Sequence, residues 1–165
     1  MSRDELLQEV LAVVSIPVVV AGGIATASDV ATAIDAGAAA VRVGTAFVAT
    51  EESGAHPRYI DALLGARSAD DTIVTTAFGE GWPDAPHRVL ASALAAAEAF
   101  AGAVVGEAGP AEARQPVPRF SVAQPSRDVA GNIEAMALYA GTGVGDILRI
   151  RSAADLVTEL VARLA

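Results

Sequence analysis

The sequence contains no cysteine and no lysine among its 165 residues. Without cysteine, the chain cannot form a disulfide, a thiolate-ligated metal centre or a thiol nucleophile. Its 11 basic residues are all arginine, and 20 acidic residues outnumber them, so the formal net charge is −9. This acidic excess argues against nucleic acid or an anionic membrane surface as a partner, because each of these attracts a basic face.

The sequence also lacks an apolar run typical of a membrane-spanning helix. Its longest uncharged stretch, residues 10–28, is interrupted by a proline and a glycine pair, whereas a spanning helix needs about 20 mostly apolar residues. Asp4 and Glu5 precede the first apolar residues, unlike the basic start of a signal peptide. We therefore expect a cytoplasmic protein.

Length and hydrophobic content predict a folded protein. Hydrophobic residues make up 53% of the chain, which is too high a fraction for a disordered protein. The 165 residues suit one ordinary domain. A closed eight-stranded α/β barrel typically needs about 250 residues, so this chain is too short to form one alone.

Residues 17–45 have the pattern of a strand, a helix and a second strand. The runs 17–21 and 39–43 are short, largely apolar and rich in valine, which is typical of parallel strands covered on both faces. Between them, Ser28 suits a helix N-cap and Gly37 suits a helix stop. The length matches a right-handed crossover between two parallel strands.

The other segments alternate between helical spacing and stretches rich in turn residues. We expect extended structure in 70–78, a loop over 79–86, an irregular proline-containing connection over 106–125 and a glycine-rich loop over 141–145. Apolar spacing predicts helices over 5–14, 45–50, 57–64, 89–103 and 127–139, and a last helix that begins at Ser152.

Both predicted strands end in glycine turns, which form the strongest candidate site. Gly22 and Gly23 close the first strand, and the run Arg42-Val-Gly-Thr45 closes the second, directly before a helix. Glycine lets backbone N–H groups approach an anion closely, while a helix start adds unpaired donors. In an α/β barrel, the loops after the seventh and eighth strands are a common phosphate site. One such turn is equally well explained as a tight turn, but two in consecutive units favour phosphate binding.

The other polar residues do not form a pattern typical of a catalytic or metal-binding site. His56 and His87 each lie beside a proline, with no nucleophile or metal-ligand spacing nearby. Glu51 and Glu52 lie near a helix start, where a carboxylate serves the helix dipole or solvent. The 141–145 glycine loop follows a helix rather than a strand, so we interpret it as a connection beside a pocket and not as a dinucleotide fingerprint.

Six short motifs follow one another in a distinctive order, at residues 16–25, 35–53, 56–57, 71–72, 86–90 and 138–145. Their combination resembles the nitronate monooxygenase (2-nitropropane dioxygenase-like) family over nearly the whole chain. The resemblance implies an α/β fold: the last two βα units of an FMN-dependent TIM barrel plus a small, mostly helical domain, with the barrel incomplete in this chain. The implied divisions are 1–66 for the barrel units, 67–140 for the helical substrate or lid domain, and 141–165 for a glycine loop and final helix that return to the barrel.

The resemblance also implies a function, namely FMN-dependent oxidative denitrification of alkyl nitronates by dioxygen without a metal. The family's catalytic histidine is expected in earlier strands that this chain does not contain, so no catalytic residue is assigned here. Family members often have glutamine where this chain has Arg42 and Thr142. The residues implied to hold the FMN phosphate are Gly22, Gly23, Arg42, Val43, Gly44 and Thr45.

Two alternatives remain open. One is a truncated, non-catalytic fragment or partner subunit that binds only phosphate or FMN. Because two parallel apolar strands expose edges and faces, such a chain would form a homo-oligomer or pair with a missing N-terminal half. The other is a related FMN barrel, such as an enoyl-ACP reductase or an IMP dehydrogenase-like enzyme, which shares the phosphate turns.

Overall fold

A computed structural model describes residues 1–164, which form an α/β arrangement with three small sheets. No helix in this range is long and apolar enough to cross a bilayer. The helices are α1 (Arg3–Leu11), α2 (Ala27–Asp35), α3 (Thr45–Val48), α4 (Pro57–Gly65), α5 (Ala91–Ala99) and α6 (Ala153–Val161). The strands are β1 (Val19–Ala21), β2 (Ala40–Arg42), β3 (Thr72–Thr75), β4 (His87–Leu90), β5 (Val104–Ala108), β6 (Gln115–Pro118) and β7 (Ala130–Gly131).

The predicted strand–helix–strand unit is confirmed. Strands β1 and β2 pair in parallel, with Val19 opposite Ala40, and α2 connects them. Helix α2 begins two residues earlier than expected, because its N-cap is Thr26 rather than Ser28. The Thr26 hydroxyl accepts from the Asp29 N–H at 3.2 Å, while the Asp29 carboxylate accepts from the Thr26 N–H at 2.9 Å. This reciprocal pair satisfies two backbone donors at the helix start.

The terminal helix α6 returns to the first part of the chain and packs against α2. Ser152 is its N-cap, as predicted, and accepts from the Asp155 N–H at 3.0 Å. The Glu52 carboxylate accepts from the Ala153 N–H at 2.9 and 3.1 Å. Glu52 therefore serves a helix start, but one that lies 101 residues away in sequence.

The segment 67–140, expected to be mostly helical, instead contains more strand than helix. Strands β3 and β4 form an antiparallel pair, and β5 lies between β6 and β7 in a second antiparallel sheet. Helix α5 is the one α-helix of this segment. The predicted irregular connection over 106–125 contains part of β5 and all of β6. Prolines 116 and 118 are tolerated in β6 because it is an edge strand, where a missing N–H donor disrupts no central ladder.

The predicted helix over 127–139 is also wrong. This stretch contains β7, the short 3₁₀ helix Ile133–Ala135 and an extended segment. The four successive residues 135–138 are all buried, whereas an amphipathic surface helix buries only one face. Their apolar spacing reflects complete burial, and the backbone pairs with distant strands instead: Leu138 accepts from the Leu90 N–H at 2.9 Å.

The core lies beneath α4, β4 and the extended segment, while the outer side of β1 is open. Tyr59 and Leu63 of α4 are fully buried, as are Phe78 and Val89. In contrast, Val19 is 58% exposed. Within residues 1–164, the parallel sheet consists of β1 and β2 alone, so apolar surface remains uncovered there.

Candidate functional site

The carboxyl ends of β1 and β2 open into one cleft of about 200 Å³. Five of the six residues predicted to bind the cofactor line it, and the sixth, Val43, packs its side chain against the hydrophobic core. The cleft has three walls, formed by the turn after β1, the turn after β2 and the glycine-rich loop 141–145. The lining residues are Ala21, Gly22, Gly23, Ile24, Ala25, Arg42, Gly44, Thr45, Gly141 and Gly143.

The turn after β1 requires glycine at two successive positions. Gly22 has φ +94° and Gly23 has φ +65°, values that side-chain-bearing residues rarely adopt. A Cβ on Gly22 would meet no atom within 4 Å, whereas a Cβ on Gly23 would lie 2.6 Å from the Thr142 Oγ1. Gly22 therefore leaves the cleft open, and Gly23 lets the glycine loop pack closely.

The turn after β2 supplies backbone donors. Gly44 is the N-cap of α3, and a Cβ on it would meet no atom within 4 Å. The N–H groups of Gly44 and Thr45 donate to no acceptor within the described part of the chain. The first N–H groups of a helix have no intrahelical acceptor, so these two donors remain available at the cleft.

The glycine loop is attached to this second turn through Thr45. The Gly141 N–H donates to the Thr45 Oγ1 at 2.9 Å. Because a hydroxyl both accepts and donates, the Thr45 oxygen is engaged with the loop while its hydrogen can still be donated. Thr45 therefore joins two walls of the cleft and retains one donor for a bound anion.

The lining contains one charged side chain, which is cationic. Arg42 is exposed and forms no hydrogen bond or ion pair with any residue from 1 to 164. A second guanidinium lies beside the cleft, where the Arg3 Nη1 donates to the Gly23 carbonyl at 3.2 Å. The Arg3 guanidinium is also paired with the Asp4 carboxylate at 2.9 Å. No carboxylate lines the cleft, so Arg42 supplies the one side-chain charge of its lining, although the chain carries −9 overall.

Asp29 supports the first turn from behind. Its carboxylate accepts from the Ala25 N–H at 3.0 Å and from the Thr26 N–H and hydroxyl. Burial raises the pKa of this carboxyl, but these hydrogen bonds and the nearby Arg3 outweigh burial, so the pKa lies below its ordinary value. Asp29 is therefore ionised at neutral pH and fixes the backbone that follows Ile24.

Neither histidine lines the cleft. The His56 Nδ1 accepts from the Arg58 N–H at 3.1 Å, which makes His56 the N-cap of α4. His87 lies in β4, with its Nδ1 2.9 Å from the Ala85 carbonyl oxygen and its ring 5.6 Å from the Tyr139 ring. Across the described residues, no group of three or more acidic or histidine side chains is placed to hold a metal.

The sequence pattern predicted the glycine loop 141–145 as a connection beside a pocket, whereas in the structure this loop forms one wall of the cleft. Gly141 and Gly143 line the cleft, and a Cβ on Gly143 would lie 3.1 Å from the Ala25 Cβ. The available signal was the triplet of alternating glycines, a pattern typical of close backbone approach. The partner segment could not be identified from it, because it lies more than 90 residues earlier.

Comparison with known sequences points to the same family as the sequence motifs. The family model for nitronate monooxygenase matches residues 2–163. A nitronate monooxygenase from Pseudomonas aeruginosa is 41% identical over 81 residues, which is 49% of this chain and 23% of that protein. A probable nitronate monooxygenase from Staphylococcus aureus is 41% identical over 73 residues, 44% of this chain and 20% of that protein.

Solved structures resemble nearly the whole chain. A nitroalkane oxidase from Streptomyces ansochromogenes has a TM-score of 0.67 at 31% identity and covers 99% of this chain. A mutant FabK from Thermotoga maritima has the same TM-score at 29% identity and covers 98%. The matches account for only 44% and 45% of those two proteins, so this chain spans less than half the length of either.

Proposed function

This chain belongs to the nitronate monooxygenase family, and we propose that it forms the phosphate-binding side of an FMN-dependent enzyme that oxidises alkyl nitronates with dioxygen. The family and the structural neighbours are flavoenzymes and oxidoreductases. Because the chain spans less than half of the solved neighbours, the activity proposed is that of a larger assembly to which these residues contribute.

One combination of observations carries the proposal. Within the described part of the chain, the Arg42 guanidinium and the N–H groups of Gly44 and Thr45 have no hydrogen-bond partner. All three belong to the same cleft, whose lining has no carboxylate. A phosphate monoester is a dianion with several acceptor oxygens, and charge-assisted hydrogen bonds from such donors are its usual protein contacts. The residues present therefore fit the phosphate of FMN.

Within the proposed enzyme, this chain binds and orients rather than transfers protons. Bound FMN would supply the electron transfer between the nitronate and dioxygen. Arg42 would neutralise the phosphate charge, the Gly44 and Thr45 N–H groups would fix its position, and Gly22 would leave space for it. The proton-transferring histidine of the family is expected on strands outside these residues.

The open side of β1 and β2 supports pairing with further strands. Val19 of β1 is 58% exposed, and Ile16, which precedes this strand, is 70% exposed, although both are large apolar residues. Parallel sheets are normally covered on both faces. In our proposal, polypeptide outside these 165 residues supplies the remaining barrel strands and covers this surface.

Titration of the purified protein with FMN and with riboflavin tests the phosphate site, because the two ligands differ only in the phosphate. We expect FMN to bind at least tenfold more tightly, as a difference of about 1.4 kcal/mol would produce. Equal affinity for the two ligands would contradict the proposal. Oxygen consumption with an alkyl nitronate then tests turnover. FMN preference without turnover would support the non-catalytic alternative instead.

The likeness to FabK at an equal TM-score favours testing a second flavin-barrel activity. The same preparation can be assayed with NADH and an enoyl thioester. Activity on the enoyl thioester alone would reject nitronate oxidation while leaving the phosphate site intact, because the two reactions would share the cofactor cleft.

A further inference from the structure

One buried tyrosine outside the cleft, Tyr59, donates a hydrogen bond to the segment that leads into the third wall of the cleft. Residues 138–141, which we call the strap, run from the core to the glycine loop. Strand β4 holds two of them: Leu138 accepts from the Leu90 N–H at 2.9 Å, and Ala140 donates to the Arg88 carbonyl at 3.1 Å. The other two, Tyr139 and Gly141, are held by side chains.

The Tyr59 hydroxyl donates to the Tyr139 carbonyl at 2.6 Å. Two residues further on, the Gly141 N–H donates to the Thr45 Oγ1 at 2.9 Å. Tyr59 is fully buried and is not among the residues that line the cleft, although it borders an adjoining cavity together with Thr45 and Gly141. Burial first, and the nearby Tyr139 second, raise the pKa of Tyr59. Its hydroxyl therefore stays protonated and remains a donor.

From these contacts we infer that Tyr59 is a positioning residue for the proposed phosphate site, acting through the strap on Gly141 and Thr45. Without the Tyr59 hydroxyl, the part-buried Tyr139 carbonyl would lose its hydrogen-bond donor and would face the fully buried Tyr59 ring, and a carbonyl left unsatisfied away from water is costly. The strap would relieve this cost by moving toward water. That movement shifts Gly141 away from Thr45, whose hydroxyl then loses its fixed orientation toward the anion.

The inference rests on the proposed function, and the Tyr59→Phe substitution tests it. This change removes one oxygen and keeps the buried ring, so the fold is retained. We expect FMN affinity to fall about fivefold to tenfold, with riboflavin affinity unchanged. We also expect the Gly141 amide proton to exchange with solvent faster than in the parent protein, and this second measurement needs no ligand.

The Thr50→Val variant is a control away from the strap, since it also removes one buried hydroxyl that donates to a carbonyl, that of Phe47 at 2.8 Å. We expect it to lower stability without changing the ratio of FMN to riboflavin affinity or Gly141 exchange. A double-mutant cycle joins Tyr59→Phe to Thr45→Val, and the effects on FMN affinity should be smaller together than their sum.

Three results would overturn the inference. Tyr59→Phe could lower both flavin affinities equally, could leave Gly141 exchange unchanged, or could combine additively with Thr45→Val. Each would show that Tyr59 has a general packing role. A parent protein that binds FMN and riboflavin equally would instead reject the phosphate site itself, so the two failures are distinguishable.

Discussion

The Gly141 backbone N–H donates to the Thr45 hydroxyl oxygen at 2.9 Å, although these residues are 96 positions apart in the sequence. This bond attaches a loop near the end of the chain to the turn after β2. It turns two adjacent strand-end turns into a three-walled cleft.

Gly44→Asp should abolish FMN binding. The substitution is sterically open, since a Cβ at Gly44 would meet nothing within 4 Å, but it adds a negative charge beside the proposed dianion. Two like charges about 4 Å apart repel by roughly 4 kcal/mol near a protein surface, so we expect an affinity loss of roughly 100-fold or more. Fluorescence titration with FMN measures it. Gly44→Asn introduces a side chain of almost the same shape without the charge, so it should lose much less FMN affinity. An unchanged FMN affinity in Gly44→Asp would show that the phosphate site is misplaced.

Arg42→Gln should weaken FMN binding about tenfold, because a charge-assisted hydrogen bond to phosphate is replaced by a neutral one. The salt dependence of binding should also become shallower, since one screened charge interaction is lost. Arg114→Gln changes the net charge equally but alters the distant β5–β7 region, where Arg114 donates to the Asp128 carbonyl at 3.2 Å. The control should bind FMN as the parent does. Equal losses in both variants would point to net charge alone and not to a contact of Arg42.

Stability should fall in acid through Asp29. The folded-state pKa of this carboxyl lies below its ordinary value. Its stabilisation is therefore present above the unfolded pKa, about 3.9, and is lost as pH falls through the lower folded value. Urea unfolding between pH 7 and pH 2 measures this loss. Asp29→Asn should be less stable at pH 7 and less sensitive to acid. A parallel profile for parent and Asp29→Asn would contradict the assignment.

Gly106→Ala should destabilise the β5–β7 sheet. A Cβ at Gly106 would collide with the Ala130 carbonyl and would lie 2.6 Å from the Met136 Cε. Overpacking of this kind costs about 1–3 kcal/mol, which thermal or urea unfolding would detect. Gly65→Ala, at the end of α4 with open space around it, should leave stability unchanged or raise it slightly. If Gly106→Ala were equally harmless, β5 and β7 would not be packed as closely as described.

Local pattern was enough to predict the strand–helix–strand unit and its glycine turns. The apolar runs of β1 and β2 and the intervening helix lie within 30 residues, and the crossover rule places both carboxyl ends at one edge. Five of the six residues predicted from these turns line the cleft for that reason. Val43 does not, because its side chain packs against the core.

Local pattern failed where distant pairing decided the backbone. Residues 127–139 have helical spacing, yet the Asn132 N–H donates to the Val105 carbonyl at 2.8 Å and Leu138 pairs with Leu90. Such bonds replace intrahelical ones, and burial of consecutive residues mimics the spacing of a helix face. The prolines of β6 similarly suggested an irregular segment, although an edge strand accommodates them.

The sequence by itself determined what cannot occur and where the glycine turns lie: no thiol chemistry is available, and two such turns end two parallel strands. Tertiary structure decided the rest. It brought Gly141 to Thr45, placed Tyr59 beneath the strap, used Glu52 to cap α6 and left Arg42 without a partner at the cleft. The first three depend on hydrogen bonds between residues 80 or more positions apart. The last depends on which side chains the fold brings near Arg42. Periodicity and turn chemistry report only on near neighbours, so only the folded chain could reveal them.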